Sequence, residues 1–359
     1  MNRRSLFNID WRLLTPVIVL AILSLTTLFS VDIVLFKSQL LFFIVGVFAF
    51  LFFSQTNYKT VKFYSLPIYI ISIVLLIIVL IIGVETRGSV RWLEFFGFRI
   101  QFSEILKPFL AISLSSYLSS RNNYSLKTLF LATSFLVPIV FLVFLQPDLG
   151  NALIYFITAI IVFVIFGFPF RFFFSGLAIL LALSPILWKF LHDYQKQRIL
   201  TFLNPNDPLG LSYNAIQAVI AVGSGMLFGR GLGLGTQSGL RFLPERSTDF
   251  IFATLSEELG MIGAILVVVT FAFLLYRIFT IFRGQEDLFC KTFSAIVFSL
   301  IFLQFFVNIG MNIGILPIVG ITLPFLSYGG SSLLSNFILL GILCAMNRND
   351  PSRSVLEIR

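Results

Sequence analysis

Residues 249–276, DFIFATLSEELGMIGAILVVVTFAFLLY, decide the fold class of this chain. No charged side chain occurs between Glu258 and Arg277, and a helix needs about 20 apolar residues to cross roughly 30 Å of hydrocarbon. The first third of the stretch carries Asp249 and Glu257 as well as Glu258. The stretch is therefore predicted to be a membrane-spanning helix whose acidic end lies near one membrane surface.

The composition of the whole chain supports the same class. Of its 359 residues, 58% are hydrophobic and 11% are charged, whereas an ordinary soluble domain is about 25% charged. This composition excludes a water-soluble globular protein. The two cysteines, Cys290 and Cys344, are too few for a disulfide-stapled secreted module, and the single histidine, His192, excludes a histidine-rich metal site.

The net charge of +9 raises the question of a nucleic-acid partner. The basic residues occur singly or in pairs between apolar runs, and the chain has no polybasic arm. Such a distribution is typical of a membrane protein, because short cytoplasmic loops are enriched in Lys and Arg. We therefore expect no nucleic-acid partner.

Ten apolar runs approach the length of a membrane span. They cover residues 13–31, 38–54, 65–84, 104–119, 127–145, 150–168, 171–190, 249–276, 291–315 and 330–346. The predicted fold class is an all-α polytopic membrane protein with ten transmembrane helices, built as one membrane domain over residues 1–359. The fourth run is diluted by serines, so it is expected to face protein rather than lipid.

The positions of Lys and Arg predict the orientation of the chain. An N-terminus in the cytoplasm places most of these side chains on the inner side and leaves nearly all the others in two long outer loops, where they carry less weight. Both termini are then cytoplasmic, and both cysteines lie near the reducing side, so no disulfide is expected. The outer loops are residues 85–103 and, between spans seven and eight, residues 191–248. A loop as long as the second is usually functional.

Ionisable residues at the edge of a span are costly unless they are paired or hydrated, so they are functional candidates. The stretch RGSVRWLEFFGFRIQFSEILK (87–107) contains Arg91, Glu104 and Lys107. Glu104 and Lys107 lie three residues apart on one helix face and can pair. The spacing supports a functional pair and a solvated salt bridge of little consequence equally well.

Acidic residues also mark RFLPERSTDFIFATLSEELG (241–260). Asp249 is predicted at the outer edge of the membrane at the start of a long helix, with Glu257 and Glu258 about 12 to 14 Å deeper along it. On the residues alone, a role for Asp249 as a helix cap or as an acid stabilised by the helix dipole is slightly favoured over catalysis. The two glutamates need partners, and we expect Lys107 or an arginine of the outer loops to pair with them.

Three turn motifs complete the candidates. In QPDLGN (146–151), the position of Asp148 favours a helix cap over chemistry. In LPIVGITLPFLSYGGSS (316–332), prolines and glycines break the helix at membrane depth, which favours a polar cavity near the outer leaflet. The glycine-rich stretch 223–239 lacks the lysine-serine pair of a phosphate loop, so a packed or re-entrant loop is the better interpretation, with Arg230 available for an anionic ligand.

Together, these segments resemble the SEDS family of membrane glycosyltransferases, which includes RodA, FtsW and SpoVE. The resemblance is carried, in chain order, by RWLEFFGFRIQFSEILK, QPDLGN, NPNDPLGLSYNAIQAVIAVGSG, FLPERSTDFIFATLSEELG and LPIVGITLPFLSYGGSS. The PER sequence at 244–246, Val319 and the short tails are more similar to RodA than to FtsW. The chain departs from the family pattern at Phe102, Asn151 and Ser247, where proline, threonine and histidine are usual.

The resemblance implies a peptidoglycan glycosyltransferase that polymerises lipid II, the undecaprenyl-linked disaccharide-pentapeptide, at the outer face of the bacterial cytoplasmic membrane, for cell elongation and rod shape. A sugar hydroxyl attacks the anomeric carbon of a second lipid-linked molecule and expels a lipid pyrophosphate with inversion. Asp249 matches the essential aspartate of the family and is assigned as the general base. The residues expected to contact the substrate are Arg91, Glu104, Lys107, Arg230, Arg246, Glu257 and Ser331.

The same resemblance implies the cofactors and partners. A divalent cation on the pyrophosphate, Mg²⁺ or Mn²⁺, is left open, because the sequence contains no ligand cluster that indicates one. The expected protein partners are a class B penicillin-binding protein, which is a transpeptidase with a single membrane span, and other membrane proteins of the elongation complex.

Three other functions stay open on the sequence. A flippase for lipid-linked precursors would use Glu257, Glu258 and Lys107 as a translocation path. The polar residues gather on the outer side, which favours an enzyme over a transporter. A division-specific, FtsW-like polymerase would share the chemistry, and a scaffold that recruits a transpeptidase would leave wall synthesis unaltered when the cavity charges are neutralised.

Overall fold

The computed structural model describes residues 10–86, 89–95, 98–121, 125–191, 196–197, 200–202 and 212–348. Within these ranges most of the chain is helical. In chain order the elements are α1 (Trp11–Val31), α2 (Ile33–Ser54), α3 (Tyr58–Phe63), α4 (Ser65–Ile82), β1 (Val84–Thr86), β2 (Ser89–Phe95), β3 (Phe98–Gln101), α5 (Phe102–Ile105), α6 (Lys107–Ser119), α7 (Leu126–Leu145), α8 (Leu149–Ile165), α9 (Phe170–Phe190), α10 (Tyr213–Ser224), α11 (Thr236–Gly239), α12 (Ile251–Gly284), α13 (Leu288–Asn312) and α14 (Gly330–Arg348).

Each predicted apolar run coincides with a helix of the structure. Over the described residues, seven helices are long and apolar enough to cross a membrane, namely α1, α2, α4, α7, α12, α13 and α14. Helix α8 and the Phe170–Ile186 part of α9 are shorter apolar helices, and α6 has 13 residues. The chain is thus a multi-pass membrane protein, while the number of ten spans stays a prediction.

The all-α prediction is wrong at one place, where β1, β2 and β3 form an antiparallel sheet in that order. The register pairs Trp92 with Gln101 and Glu94 with Arg99. Strands of this length are invisible to a search for runs of about 20 apolar residues. The ladder pairs backbone polar groups with one another and so gives a defined shape to the described part of loop 85–103.

Helix α14 forms the centre of the bundle. It is the most deeply buried of the seven long apolar helices, although it contains polar residues such as Ser335. Glycines let it pack closely on α2: a Cβ at Gly46 would lie 2.2 Å from Cδ2 of Phe337, and a Cβ at Gly341 would lie 2.9 Å from the carbonyl oxygen of Phe50. Small residues at such contacts allow membrane helices to approach, and the protein surroundings explain why α14 tolerates polar side chains.

Helix α12 is broken at Gly260, whose backbone has φ 68° and ψ −164°. The break frees backbone groups that a continuous helix would pair internally. Residues 225–235, which we call the glycine-rich loop, fill the break. Met261 N donates to Met226 O (2.8 Å), and the carbonyl oxygen of Glu258 accepts a hydrogen bond from the loop. The prediction of a packed loop in this part of the sequence is confirmed.

Candidate active site

A cavity of about 1450 Å³ opens at the end of the bundle that carries the sheet, which we call the cavity end. Its walls include β2, β3, α10, the turn between α7 and α8, the segment before α12 and the irregular segment between α13 and α14. Of the residues selected from the sequence as site residues, it brings together Arg91, Glu104, Asp249 and Ser331. The polar cavity predicted beside residues 316–332 is confirmed.

Asp249 lines the cavity from the turn that leads into α12. The cap position of that helix is occupied by Phe250, so Asp249 is not the helix cap that the sequence slightly favoured. The backbone carbonyl oxygen of Asp249 accepts hydrogen bonds from Nδ2 of Asn308 and from Nδ2 of Asn312, both at 3.0 Å. A Cβ added at Gly320 would lie 3.4 Å from Asp249 Oδ2. These contacts fix the backbone of Asp249 on α13 and its carboxylate beside the irregular segment that follows α13.

The irregular segment between α13 and α14 is hydrogen-bonded to the residues just before Asp249. Tyr328 N donates to Ser247 O (2.8 Å), and Ser327 Oγ donates to Thr248 O (2.7 Å). The two irregular segments therefore satisfy each other's polar groups, as backbone at membrane depth requires. Two elements that are distant in sequence thus set the position of Asp249.

The predicted pairing of Glu104 and Lys107 is confirmed. Lys107 Nζ lies 2.7 Å from Glu104 Oε2. The alternative of a solvated salt bridge is wrong, because Lys107 is 1% exposed and Glu104 is 5% exposed. Breaking such a buried pair costs about 3–5 kcal/mol. Glu104 lines the cavity, and Lys107 supports it without being part of the described lining.

Asp148 does more than cap α8. The predicted cap is confirmed, since Asp148 Oδ1 accepts from Asn151 N (3.2 Å). Its other oxygen, Oδ2, accepts from Gln101 Nε2 (2.7 Å), Ser103 Oγ (2.9 Å) and Asn151 Nδ2 (2.9 Å). Arg91 Nη1 lies 3.7 Å from Oδ1. One buried carboxylate in the cavity wall thereby joins β2, β3, α5 and α8.

Replacement of Asp148 by Asn is expected to lower the melting temperature of the purified protein by several degrees. An amide nitrogen in place of one oxygen removes an acceptor from several buried donors and removes the charge opposite Arg91. Thermal unfolding in detergent measures the change. The matched control is Asp287→Asn, because Asp287 caps α13 by accepting from the backbone amides of Phe289 and Cys290 and Asn is an equally good cap. Equal melting temperatures for the two variants would contradict this role of Asp148.

Glu257 does not line the cavity, and its carboxylate binds backbone amides. Gln237 N (2.8 Å) and Ser238 N (2.9 Å), at the start of α11, donate to it. The expected partner, Lys107 or an arginine of the outer loops, is therefore wrong for this residue. Backbone N–H groups satisfy a buried carboxylate as a cation does, and nothing in the local sequence distinguishes the two.

Glu258 likewise holds the glycine-rich loop. Its carboxylate accepts from Ser30 Oγ of α1 (2.6 Å) and from Gly233 N (3.0 Å). The first half of α12, the glycine-rich loop and the end of α1 are therefore linked through two adjacent carboxylates.

Arg230 and Arg246 also lie outside the cavity lining. Arg230 is exposed, and its Nε donates to a carbonyl oxygen at the end of α10 (3.1 Å). Arg246 donates to the carbonyl oxygens of Ser238 and Val31. Burial, and then the neighbouring Arg241, lower the pKa of the Arg246 guanidinium below its ordinary value. Both arginines therefore connect backbone segments through hydrogen bonds from their guanidinium groups to carbonyl oxygens.

Other polar residues line the cavity that were not selected as site residues from the sequence. They include Trp92, Glu94, Arg99, Gln101, Asn151, Gln197, Asn214, Glu245, Thr322, Tyr328 and Ser332. Glu94 and Arg99 belong to the same motif as Arg91, so the motif was the signal that could have found them. Gln101 N donates to Ser331 Oγ (2.9 Å), which joins β3 to the start of α14.

Among the residues that the structure describes, no three His, Cys, Asp or Glu side chains come together as ligands for a metal ion. The structure therefore assigns no ligand set to a divalent cation.

Comparison with known proteins identifies relatives along almost the whole chain. The family model for FtsW, RodA and SpoVE, described as “Cell cycle protein”, matches residues 4–351. Peptidoglycan glycosyltransferase MrdB of Escherichia coli (strain K12) is 39% identical over 293 residues, which cover 80% of this chain and 79% of MrdB. Stage V sporulation protein E of Bacillus subtilis (strain 168) is 39% identical over 320 residues, which cover 87% of this chain and 86% of that protein.

Solved structures share the fold. One chain, described under “Structural coordination of polymerization and crosslinking by a peptidoglycan synthase complex”, matches with a TM-score of 0.84 and 28% identity, covering 96% of this chain and 98% of that chain. The crystal structure of the rod shape determining protein RodA from Thermus thermophilus matches with a TM-score of 0.74 and 25% identity, covering 96% and 98%.

Proposed function

The chain belongs to the FtsW/RodA/SpoVE family, and from this premise we propose how its cavity is used. It is a peptidoglycan glycosyltransferase, the activity by which its relative MrdB is named. In our proposal, donor and acceptor are lipid II molecules that are joined into glycan strands at the outer face of the cytoplasmic membrane. The similarity to RodA supports a role in cell elongation.

Asp249 acts as the general base in this proposal. It takes the proton of the attacking sugar hydroxyl while that oxygen bonds to the anomeric carbon of the second molecule, and the lipid pyrophosphate leaves with inversion. The observation that carries the assignment is that Asp249 lines the cavity while its backbone is fixed to α13 by two asparagine amides. A base held in this way loses little orientational freedom when the substrate binds.

Cations in the cavity wall neutralise the leaving pyrophosphate. Arg91 and Arg99 both line the cavity. The guanidinium group binds phosphate oxygens in a bidentate manner, which suits it to this task. Asp148 lies 3.7 Å from Arg91 Nη1 and orients it, so we assign Asp148 to positioning.

The other residues expected to contact the substrate divide into two groups. Glu104 and Ser331 stay in the substrate-binding wall, and Lys107 holds the Glu104 carboxylate. The residues reassigned from substrate contact to support of the loops are Arg230, Arg246 and Glu257.

We place the cavity end on the outer side of the membrane and both termini in the cytoplasm. The opposite end of the bundle carries short basic connections, which include Lys59, Arg171 and Arg283, as the positive-inside rule requires. A class B penicillin-binding protein is the proposed partner, which the match to a peptidoglycan synthase complex supports.

Purified full-length protein in vesicles with labelled lipid II tests the proposed substrate. We expect glycan polymers on a gel, and more polymer when a class B penicillin-binding protein is added. A flippase would instead move lipid II across the bilayer and leave it monomeric. Monomeric lipid II in both samples, under conditions in which a family member makes polymer, would contradict the proposal.

A further inference from the structure

The glycine-rich loop exposes apolar side chains away from the cavity. Met226, Phe228 and Leu234 are 80%, 79% and 70% exposed. For comparison, Val269 on the free surface of α12 is 57% exposed. Arg230 is the one charged side chain between residues 226 and 234. The loop therefore presents a surface as apolar as that of a membrane-spanning helix.

Two polar contacts between α1 and α12 mark the two boundaries of the apolar layer. At one end Arg277 forms an ion pair with Asp10, and at the other Ser30 Oγ donates to Glu258 Oε1 (2.6 Å). The distance from Asp10 to Ser30 along α1 is about 30 Å, at about 1.5 Å per residue. The hydrocarbon core of a bilayer is also about 30 Å thick. Glu258 thus lies at the boundary on the side of the cavity.

The glycine-rich loop meets α12 just inside this boundary. Met261 N donates to Met226 O (2.8 Å), and Ile262 N donates to Leu227 O (3.3 Å). Ile262 follows the break at Gly260, on the side of Glu258 that leads toward Arg277 and the centre of the layer. The loop is therefore at the depth where lipid headgroups meet acyl chains.

Five backbone amides of the loop donate to acceptors within the protein, which lowers the cost of contact with lipid. The donors are Gly229 (to Gly225 O, 2.8 Å), Arg230 (to Glu257 O, 2.9 Å), Gly231 (to Glu258 O, 3.1 Å), Gly233 (to Glu258 Oε1, 3.0 Å) and Leu234 (to Gly231 O, 3.1 Å). A loop surrounded by water would not need these bonds, because water accepts from free amides.

We propose that residues 226–234 insert into the leaflet on the cavity side and bind phospholipid, with Met226, Phe228 and Leu234 among the acyl chains and Arg230 at the phosphates. An arginine at the edge of the hydrocarbon keeps its stem in the apolar layer and its guanidinium among headgroups. The apolar patch continues onto α12, where Ile262 and Ile265 are 55% and 51% exposed, which favours lipid over a second protein as its occupant. Because the loop follows α10, which lines the cavity, the inserted loop fixes one cavity wall relative to the bilayer.

Spin labels on single introduced cysteines measure the depth of the loop in full-length protein, reconstituted without a partner in phosphatidylcholine and phosphatidylglycerol vesicles. Labels at Phe228→Cys, Val269→Cys and Glu286→Cys are compared by their collisions with oxygen, which concentrates in lipid, and with a water-soluble nickel chelate. Glu286 is exposed between α12 and α13 and provides the aqueous reference. We expect the Phe228 label to favour oxygen, as the Val269 label does. A Phe228 label that matches the Glu286 label, or one shielded from both reagents, overturns the proposal.

A second measurement excludes an effect of the label itself. The double variant Met226→Asp with Phe228→Asp is expected to withdraw the loop from lipid, so that a label at Leu232→Cys collides several-fold more often with the nickel chelate. The Val269 label should not change in the same background. An unchanged Leu232 label overturns the proposal. If the collision rate of the Val269 label with the nickel chelate changes as well, the double variant has disturbed the whole fold. The comparison of the Phe228, Val269 and Glu286 labels then decides whether the loop is inserted.

Discussion

Replacement of Asp249 by Asn is expected to lower the rate of lipid II polymerisation by about 10²- to 10⁴-fold, the usual contribution of a general base. Asn has the same shape as Asp but cannot accept the proton of the attacking hydroxyl. The fold should be unaffected, because the backbone carbonyl oxygen of residue 249 accepts the hydrogen bonds from Asn308 and Asn312. Polymer formed per unit time and the melting temperature are measured on the same preparation.

Two further variants distinguish a general-base role of the Asp249 side chain from a structural role. Asp249→Glu keeps a carboxylate in the cavity and should restore part of the activity that Asn loses. Glu286→Gln removes an exposed charge between α12 and α13 and should polymerise as the unsubstituted protein does. If Asp249→Asn polymerises at a rate within a few-fold of the unsubstituted protein, Asp249 is not the base, although the family assignment would stand.

The helices were predictable because burial in lipid imposes a length and an apolar composition on each of them. The eighth apolar run shows that apolar composition does not predict where a helix ends. It was predicted to stop at residue 276, before Arg277, whereas α12 continues to Gly284. Arg277 is tolerated inside the helix because it is paired with Asp10, which lies more than two hundred residues earlier in the sequence.

The site was predictable as a set of motifs but only partly as a set of contacts. The Glu104–Lys107 pair follows from a spacing of three residues, even though the two side chains lie on either side of the junction between α5 and α6, while its burial does not follow from that spacing. Asp148 was identified as a cap, since capping is local, but its bond to Gln101 depends on a sheet that hydropathy does not reveal. Glu257 was assigned to the substrate because it matches a cavity-lining position of the family. The backbone amides that satisfy its carboxylate lie at the start of α11, a four-residue helix about twenty residues earlier in the chain.

Replacement of Gly229 by Ala, in the glycine-rich loop, is expected to produce a large loss of stability. A Cβ at this position would lie 2.0 Å from the carbonyl oxygen of Glu258, and the backbone has φ 82°. The obstructing atom belongs to the backbone of α12 and cannot rotate away, so the loop must leave the break. Overpacking and the left-handed conformation together should cost about 3 kcal/mol. The melting temperature of the purified protein should fall by several degrees, and polymerisation should fall with it because α10 forms part of the cavity wall.

Gly223→Ala is the matched control, because Gly223 lies in α10 two residues before the glycine-rich loop and a Cβ there would meet nothing within 4 Å. Ala is favoured over Gly in a helix by about 1 kcal/mol, so this variant should melt at the same temperature or slightly higher. Both variants add one methyl group to the same part of the chain. They differ in whether the backbone of α12 already occupies the position of that methyl group. If both variants melt at the same temperature, the glycine-rich loop does not fill the break of α12. The link between α12 and the cavity wall through the Glu257 and Glu258 carboxylates would then be contradicted as well.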